Sequence, residues 1–152
     1  MKNIFEKAVT DEVIQRIENL TTDTQPNWGK MNVGQMLAHC SVTYDYIYDP
    51  QHQATKAKGL KKFLLKTLIK KGVCGEKPYP KNGRTAPQFL ITDEKDFEKE
   101  KSKLIGYIKQ TQAEGADSFE GKESHSFGVL TKVEWNNMFY KHLDHHLTQF
   151  GV

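Results

Sequence analysis

A chain of 152 residues can build one full hydrophobic core and is too short for two ordinary domains, so a single domain spanning 1–152 is expected. Charged residues make up 27%, the hydrophobic set 37%, and the net charge is only +3, a balance that suits a soluble globular domain and argues against nucleic acid as a partner. No run of roughly 18 apolar residues exists to span a membrane, and Met1-Lys2-Asn3-Ile4-Phe5-Glu6-Lys7 lacks the apolar core of a signal peptide, so a cytoplasmic location is expected.

The first helical pattern is Val9, Val13, Ile17 and Leu20, which share one face, with Thr10 or Asp11 available as a cap. Thr21 to Pro26 breaks it, because proline biases Gln25 away from the helical region. A second helix is predicted from Asn32 to about Tyr48, opened by Asn32 and Gln35 as a capping box and stopped by Pro50. Within 56–71, Leu60, Leu64 and Leu68 recur every four residues opposite Lys62, Lys66 and Lys70. That pattern predicts a short amphipathic helix, read as a cover over the other helices or as a membrane-surface or partner-binding element.

Gly72 to Ile91, with Pro78, Pro80, Gly83 and Pro87, reads as loop. A third long helix is predicted from Thr92 to about Gln112, with Asp93, Glu94 and Asp96 in its first turn, a stripe of Phe97, Leu104, Ile105 and Ile108, and Gly115 ending it. Gly115 to Gly128 reads as a second polar loop, and no strand pair is evident. The last helix runs from Thr131, boxed with Glu134, to about Gln149. The expected fold class is all-α: a four-helix bundle with long crossovers and one extra short amphipathic helix.

Three of the six histidines fall in the closing segment Lys141 to Phe150. His142 and His146 stand four positions apart, which on a helix separates them by about 40° and about 6 Å, close enough to share a metal ion. On a helical wheel Glu134, Asn137, Lys141, Asp144 and Thr148 gather on a polar side, and Trp135, Phe139, Leu143 and Phe150 on the opposite one. His142 and His146 join the apolar set, whereas His145 lies at the polar border and reads as a surface residue.

His39, at the edge of the apolar face of the second helix, is the third candidate. Three neutral imidazoles with one open position are what a catalytic divalent metal needs. Inward histidines bonded to carboxylates, hydroxyls or water are the competing account. Asp45 and Glu134 are available as partners for imidazole N–H groups. His125, in the loop before the last helix, is a candidate proton carrier or extra ligand. Cys40 and Cys74 have no CxxC spacing and read as free thiols, and Cys40 diverges from His39 by about 100°, which rules out a dyad. There is no GxSxG elbow, phosphate loop or GxGxxG turn.

Trp28-Gly29-Lys30-Met31 leads into Gln35-Met36-Leu37-Ala38-His39-Cys40, and later come Phe127-Gly128-Val129-Leu130-Thr131, Glu134-Trp135 and His142-x-x-x-His146-x-x-Gln149-Phe150-Gly151. Together these pieces resemble the DinB-like, or YfiT-like, superfamily of metalloenzymes over nearly the whole chain, and look most like a branch described only as a domain of unknown function. The resemblance implies a four-helix bundle holding a divalent ion, zinc or nickel, on His39, His142 and His146. Several members transfer low-molecular-weight thiols such as bacillithiol or mycothiol, so a small-molecule substrate or thiol cofactor is implied. Dimers are common among them, which adds a homodimer to the expectations. The competing function is a non-catalytic binding or stress-response protein whose metal is structural or absent.

Overall fold

The computed structural model describes residues 1–53, 59 and 64–152, and they are mostly helical. Two of the four long helices are where the sequence places them. Helix α2, Val33–Tyr48, opens on a complete capping box in which the Asn32 side chain accepts from the Gln35 backbone N–H and Gln35 reaches back to the Asn32 N–H. The last helix, α6, Lys132–Gln149, opens on the matching box of Thr131 and Glu134.

Two helix starts are corrected. Helix α1, Lys7–Glu18, begins before Thr10 and Asp11, so neither caps it. Thr10 is buried inside the helix and its hydroxyl donates to the Ile4 carbonyl at 2.6 Å. Helix α5, Phe97–Glu114, begins five residues later than Thr92, because the Asp96 side chain accepts from the Lys99 N–H at 2.9 Å and fixes the start there. It ends at Gly115, whose φ of 75° is the left-handed conformation that glycine adopts without steric cost.

Shorter elements fill the connections. Pro50 does not end helical structure outright; a one-turn helix α3, Pro50–Gln53, follows the extended Asp49. The predicted helix at 56–71 lies partly outside the described residues. Its described part is a π-helical turn, Leu65–Ile69, running into α4, Lys70–Cys74. Leu64 and Leu68 are 45% and 72% exposed, so neither of these two leucines is buried against the long helices. The loop after α5 contains a 3₁₀ turn, Ala116–Phe119, and a strand pair the sequence concealed: β1, Glu123–Ser124, antiparallel to β2, Gly128–Val129. Two-residue strands are too short to show an alternating pattern.

The core lies where α1, α2, α5 and α6 meet. Phe139 of α6 is its aromatic centre, stacked on Tyr44 at 5.0 Å and on Trp135 at 5.4 Å, and edge-on to Phe119 at 5.5 Å. Helix α2 is buried on nearly every side from Val33 to Asp45, and this carries His39 into the interior. Arg16 binds Asp144 at 2.8 Å and the Val152 carbonyl at 2.9 Å, tying α1 to α6.

Candidate metal centre

His39, His142 and His146 converge. One ring nitrogen from each lies within 4.8 Å of the other two, and the Nε2 atoms of His39 and His142 are 2.9 Å apart. The histidine pair at i and i+4 comes from the last two turns of α6, and the third imidazole comes from α2, packed alongside it.

What the opposite ring nitrogens do is equally informative. His39 Nδ1 lies 2.8 Å from the Phe89 carbonyl, which can only accept, so the proton sits on Nδ1 and Nε2 presents a lone pair. His146 Nδ1 lies 2.7 Å from Gln149 Oε1. Gln149 has its amide orientation set in turn, because its nitrogen donates to the Trp28 carbonyl at 2.6 Å. His146 therefore also turns a bare Nε2 inward. His142 Nδ1 meets the Thr43 hydroxyl at 3.2 Å. The 2.9 Å between the His39 and His142 Nε2 atoms admits a hydrogen bond when the Thr43 hydroxyl donates to His142 Nδ1 and His142 carries its proton on Nε2, and shared ligation of one cation when that proton sits on Nδ1. The donor set fits a divalent metal ion.

All three imidazoles are held neutral, as ligation requires. Burial is the first cause in each case. It lowers His39 from the ordinary histidine value, against the Phe89 carbonyl, which favours the charged ring. It brings His146 down to about 3, with a contribution from His39. His142 keeps part of its ring open to a cavity, yet protein surrounds it closely enough to hold it well below the ordinary range, helped by repulsion from the other histidines.

The sequence missed several neighbours. Asp45 and Glu134 do not touch the imidazoles: Asp45 binds Lys103 at 2.8 Å and the Tyr107 hydroxyl at 2.8 Å, and Glu134 binds Lys70 at 2.8 Å. Six residues advance a helix by about 600°, which turns Asp45 away from His39, and eight place Glu134 two turns from His142. His145 is no surface residue. It is half-buried, edge-on to His146 at 4.9 Å and to Tyr79 at 5.7 Å. Tyr79 and Phe89 arrive from the 75–91 loop, which has no local signal for them. Gln149 is among those missed, although three residues along a helix from His146 is hydrogen-bonding distance. Cys40 is buried with its thiol against Met36, burial raises its pKa, and both cysteines are free.

Two polar residues of the α6 wheel are also buried. Lys141 is 4% exposed and donates to the carbonyls of Gly72, Gly75 and Lys77, while Asn137 donates to the Cys74 carbonyl at 3.1 Å. The wheel registers only its own helix, and here a loop backbone covers the polar side. These bonds latch the 72–77 segment onto α6, with Tyr79 carried over His142 and His145.

The histidines open into a cavity of about 1490 Å³ bounded by α2, α6, the 75–91 loop and the β1–β2 hairpin. His125 lies in its wall, its ring stacked on Tyr46 at 3.8 Å and its Nδ1 2.9 Å from the Ser126 hydroxyl. It does not join the three-histidine group.

Fold and site together define a mostly helical protein whose three buried or half-buried histidines lie close enough to bind one metal ion. Residues 5–151 match the family described as Protein of unknown function (DUF1569), and the chain belongs to that family. No curated protein and no solved structure matches it. Among the described residues no helix is long and apolar enough to cross a membrane.

Proposed function

We propose that this chain is a divalent-metal-dependent enzyme built as a single DinB-like four-helix bundle over 1–152, with His39, His142 and His146 as the metal ligands. The observation that carries the reading is the convergence of one ring nitrogen from each of three histidines whose Nδ1 atoms are bonded to Phe89, Thr43 and Gln149. Outer hydrogen bonds of this kind fix tautomer and ring orientation and raise ligand basicity. Structural zinc sites are closed by four protein ligands, whereas no fourth histidine, cysteine or carboxylate joins this group among the described residues. An open position facing a large cavity favours catalysis over scaffolding.

Zinc or nickel bound there would lower the pKa of a thiol or water and supply a nucleophile at neutral pH. The chain's own part is to hold three neutral imidazoles, to shield them with Tyr79 and Phe89, and to line the substrate cavity. The reaction proposed is transfer of a low-molecular-weight thiol to an electrophile, with His125 as proton carrier from the cavity wall, in a cytoplasmic homodimer. The family resemblance supports the thiol and the dimer. The geometry supports the metal.

Elemental analysis of tag-free protein should find about one equivalent of zinc or nickel, lost in His142→Ala with helicity retained. Full metal content in that variant would refute the centre. In the same preparations His125→Ala should keep its metal and lose most turnover with thiol and electrophile; full activity would release His125 from the role.

Gln149→Leu should weaken metal binding roughly ten- to hundredfold, the usual cost of losing such an outer bond. Gly29→Ala should weaken it too. Gly29 has φ of 88°, and a Cβ there would collide with the Gln149 amide nitrogen, so alanine displaces the residue that orients His146. Competition against a chromogenic chelator reads both, and an unchanged affinity in Gln149→Leu would end its positioning role.

A further inference from the structure

The cavity is a trough whose two ends differ in chemistry. His39 faces His146 while Thr43 meets His142, so α2 and α6 run antiparallel along it. The lining residues of α2 run from Gln35 to Ile47 and those of α6 from Gln149 back to Trp135, a length of about 20 Å. The histidines stand between the ends.

At the Gln149 end the lining is cationic. Lys30 follows Gly29 beside the Gln149 amide. The 75–91 loop runs from the Lys141 latch past Tyr79, over His142 and His145, to Lys81, whose ammonium lies 4.3 Å from the Trp28 ring centroid. Lys81 stands outside the lining, whereas Arg84, just past the Pro80–Gly83 turn, belongs to it. Neither Lys30 nor Arg84 has a carboxylate within ion-pair distance among the described residues, in contrast with Lys70, Lys95 and Lys103, which all do. The described lining holds a single carboxylate, Glu123, and it belongs to the hairpin at the other end.

At that other end the hairpin contributes polar side chains on one side, and the facing wall is hydrocarbon: Leu65, Ile69, Val73 and Met138, with Phe127 beside them. The cation there, Lys122, is already engaged by Glu114 at 3.8 Å and by the Phe119 ring at 4.5 Å. Lys30 and Arg84 are exposed and their field is screened by solvent, but positive charge without a carboxylate partner at the mouth of the trough still draws anions. An apolar wall at the opposite end rewards a ligand that has hydrocarbon to bury.

We propose that the trough binds a small-molecule acid with an apolar body, its anionic head at Lys30 and Arg84 and its hydrocarbon at the Met138 end, so that the part between lies along the three histidines. This substrate class rests on the reading of those histidines as a catalytic metal centre, and it adds which molecules the centre meets.

The test is calorimetric titration of the tag-free full chain, zinc-loaded and chelator-treated, with decanoate, decyltrimethylammonium and acetate. Decanoate should bind one to one in both preparations. Acetate, with no body to bury, should bind at least about a hundredfold more weakly. The double variant Lys30→Gln, Arg84→Gln should weaken decanoate about tenfold with zinc content unchanged, and Leu65→Asp should weaken it comparably from the other end. The cationic amphiphile binding as tightly as decanoate, or the double variant binding decanoate like the parent chain, would overturn the proposal while leaving the zinc centre intact. A parent chain that takes up no zinc would instead overturn the metal reading, and the chelator-treated titration would then judge the substrate class by itself.

Discussion

Metal-free protein should lose stability continuously as the pH falls from about 6.5 towards 3. His146 titrates near the ordinary histidine value of 6.5 in the unfolded chain and only at about 3 in the folded one, because burial disfavours its charged form. Between those values the unfolded state binds the proton and the native state does not, so each step down in pH favours unfolding. The contribution is fully present above pH 6.5 and is lost as the pH falls to the folded value. For His146 alone it amounts to something on the order of 5 kcal/mol, and His39 and His142 are lowered in the same sense. A domain of this size has only about 5–15 kcal/mol in total, so the metal-free chain should unfold near the acid end of the window.

Bound zinc or nickel should move that loss to lower pH, since metal and protons compete for the same nitrogens and a ligand specific to the native state adds stability by mass action. Urea unfolding at a series of pH values, with and without metal, reads both effects. His146→Leu should flatten the metal-free profile. A profile that is flat from pH 7 to 4 in the parent chain would mean the imidazoles are not held neutral by burial.

Replacing Lys141 with methionine should cost about 3 kcal/mol. Methionine keeps the apolar stem in place but removes an ammonium that donates to three backbone carbonyls, Gly72, Gly75 and Lys77. A hydrogen bond to a charged group contributes about 1.5–3 kcal/mol net. Against this, the variant escapes the cost of dehydrating the ammonium, the same burial that lowers the Lys141 pKa. The balance corresponds to a melting temperature lower by roughly 6–12 °C. The damage should be local as well as global, because Lys141 and Asn137 hold the segment that leads to Tyr79 over the histidines. Amide exchange in 72–79 should accelerate more than in α5. A variant melting within a degree or two of the parent would show that the loop is held by other contacts.

Some of this protein is written locally. The capping boxes at Asn32 and Thr131 announce the starts of α2 and α6, because a cap is a contact over three residues. The pairing of His142 with His146 is legible for the same reason: helical geometry alone brings i and i+4 together. Gln149 at i+3 from His146 is equally local, although it was missed. The start of α5 was misplaced because Asp93, Glu94 and Asp96 are all acceptable near a helix N-terminus, and only the bond to Lys99 distinguishes Asp96.

What only the tertiary structure decided is how that local geometry is completed. His39 looked like an edge residue and became a buried vertex because α5, α6 and the 75–91 loop close around α2 on all sides. Lys141 and Asn137 sit on the polar side of their helix and are interior because a backbone some sixty residues away comes to their donors. Tyr79 and Phe89 stand in a loop whose sequence says nothing about where it docks. Periodicity describes a helix against a uniform surrounding, half water and half core, whereas here the surrounding is other parts of the same chain, brought in by contacts that no short window contains.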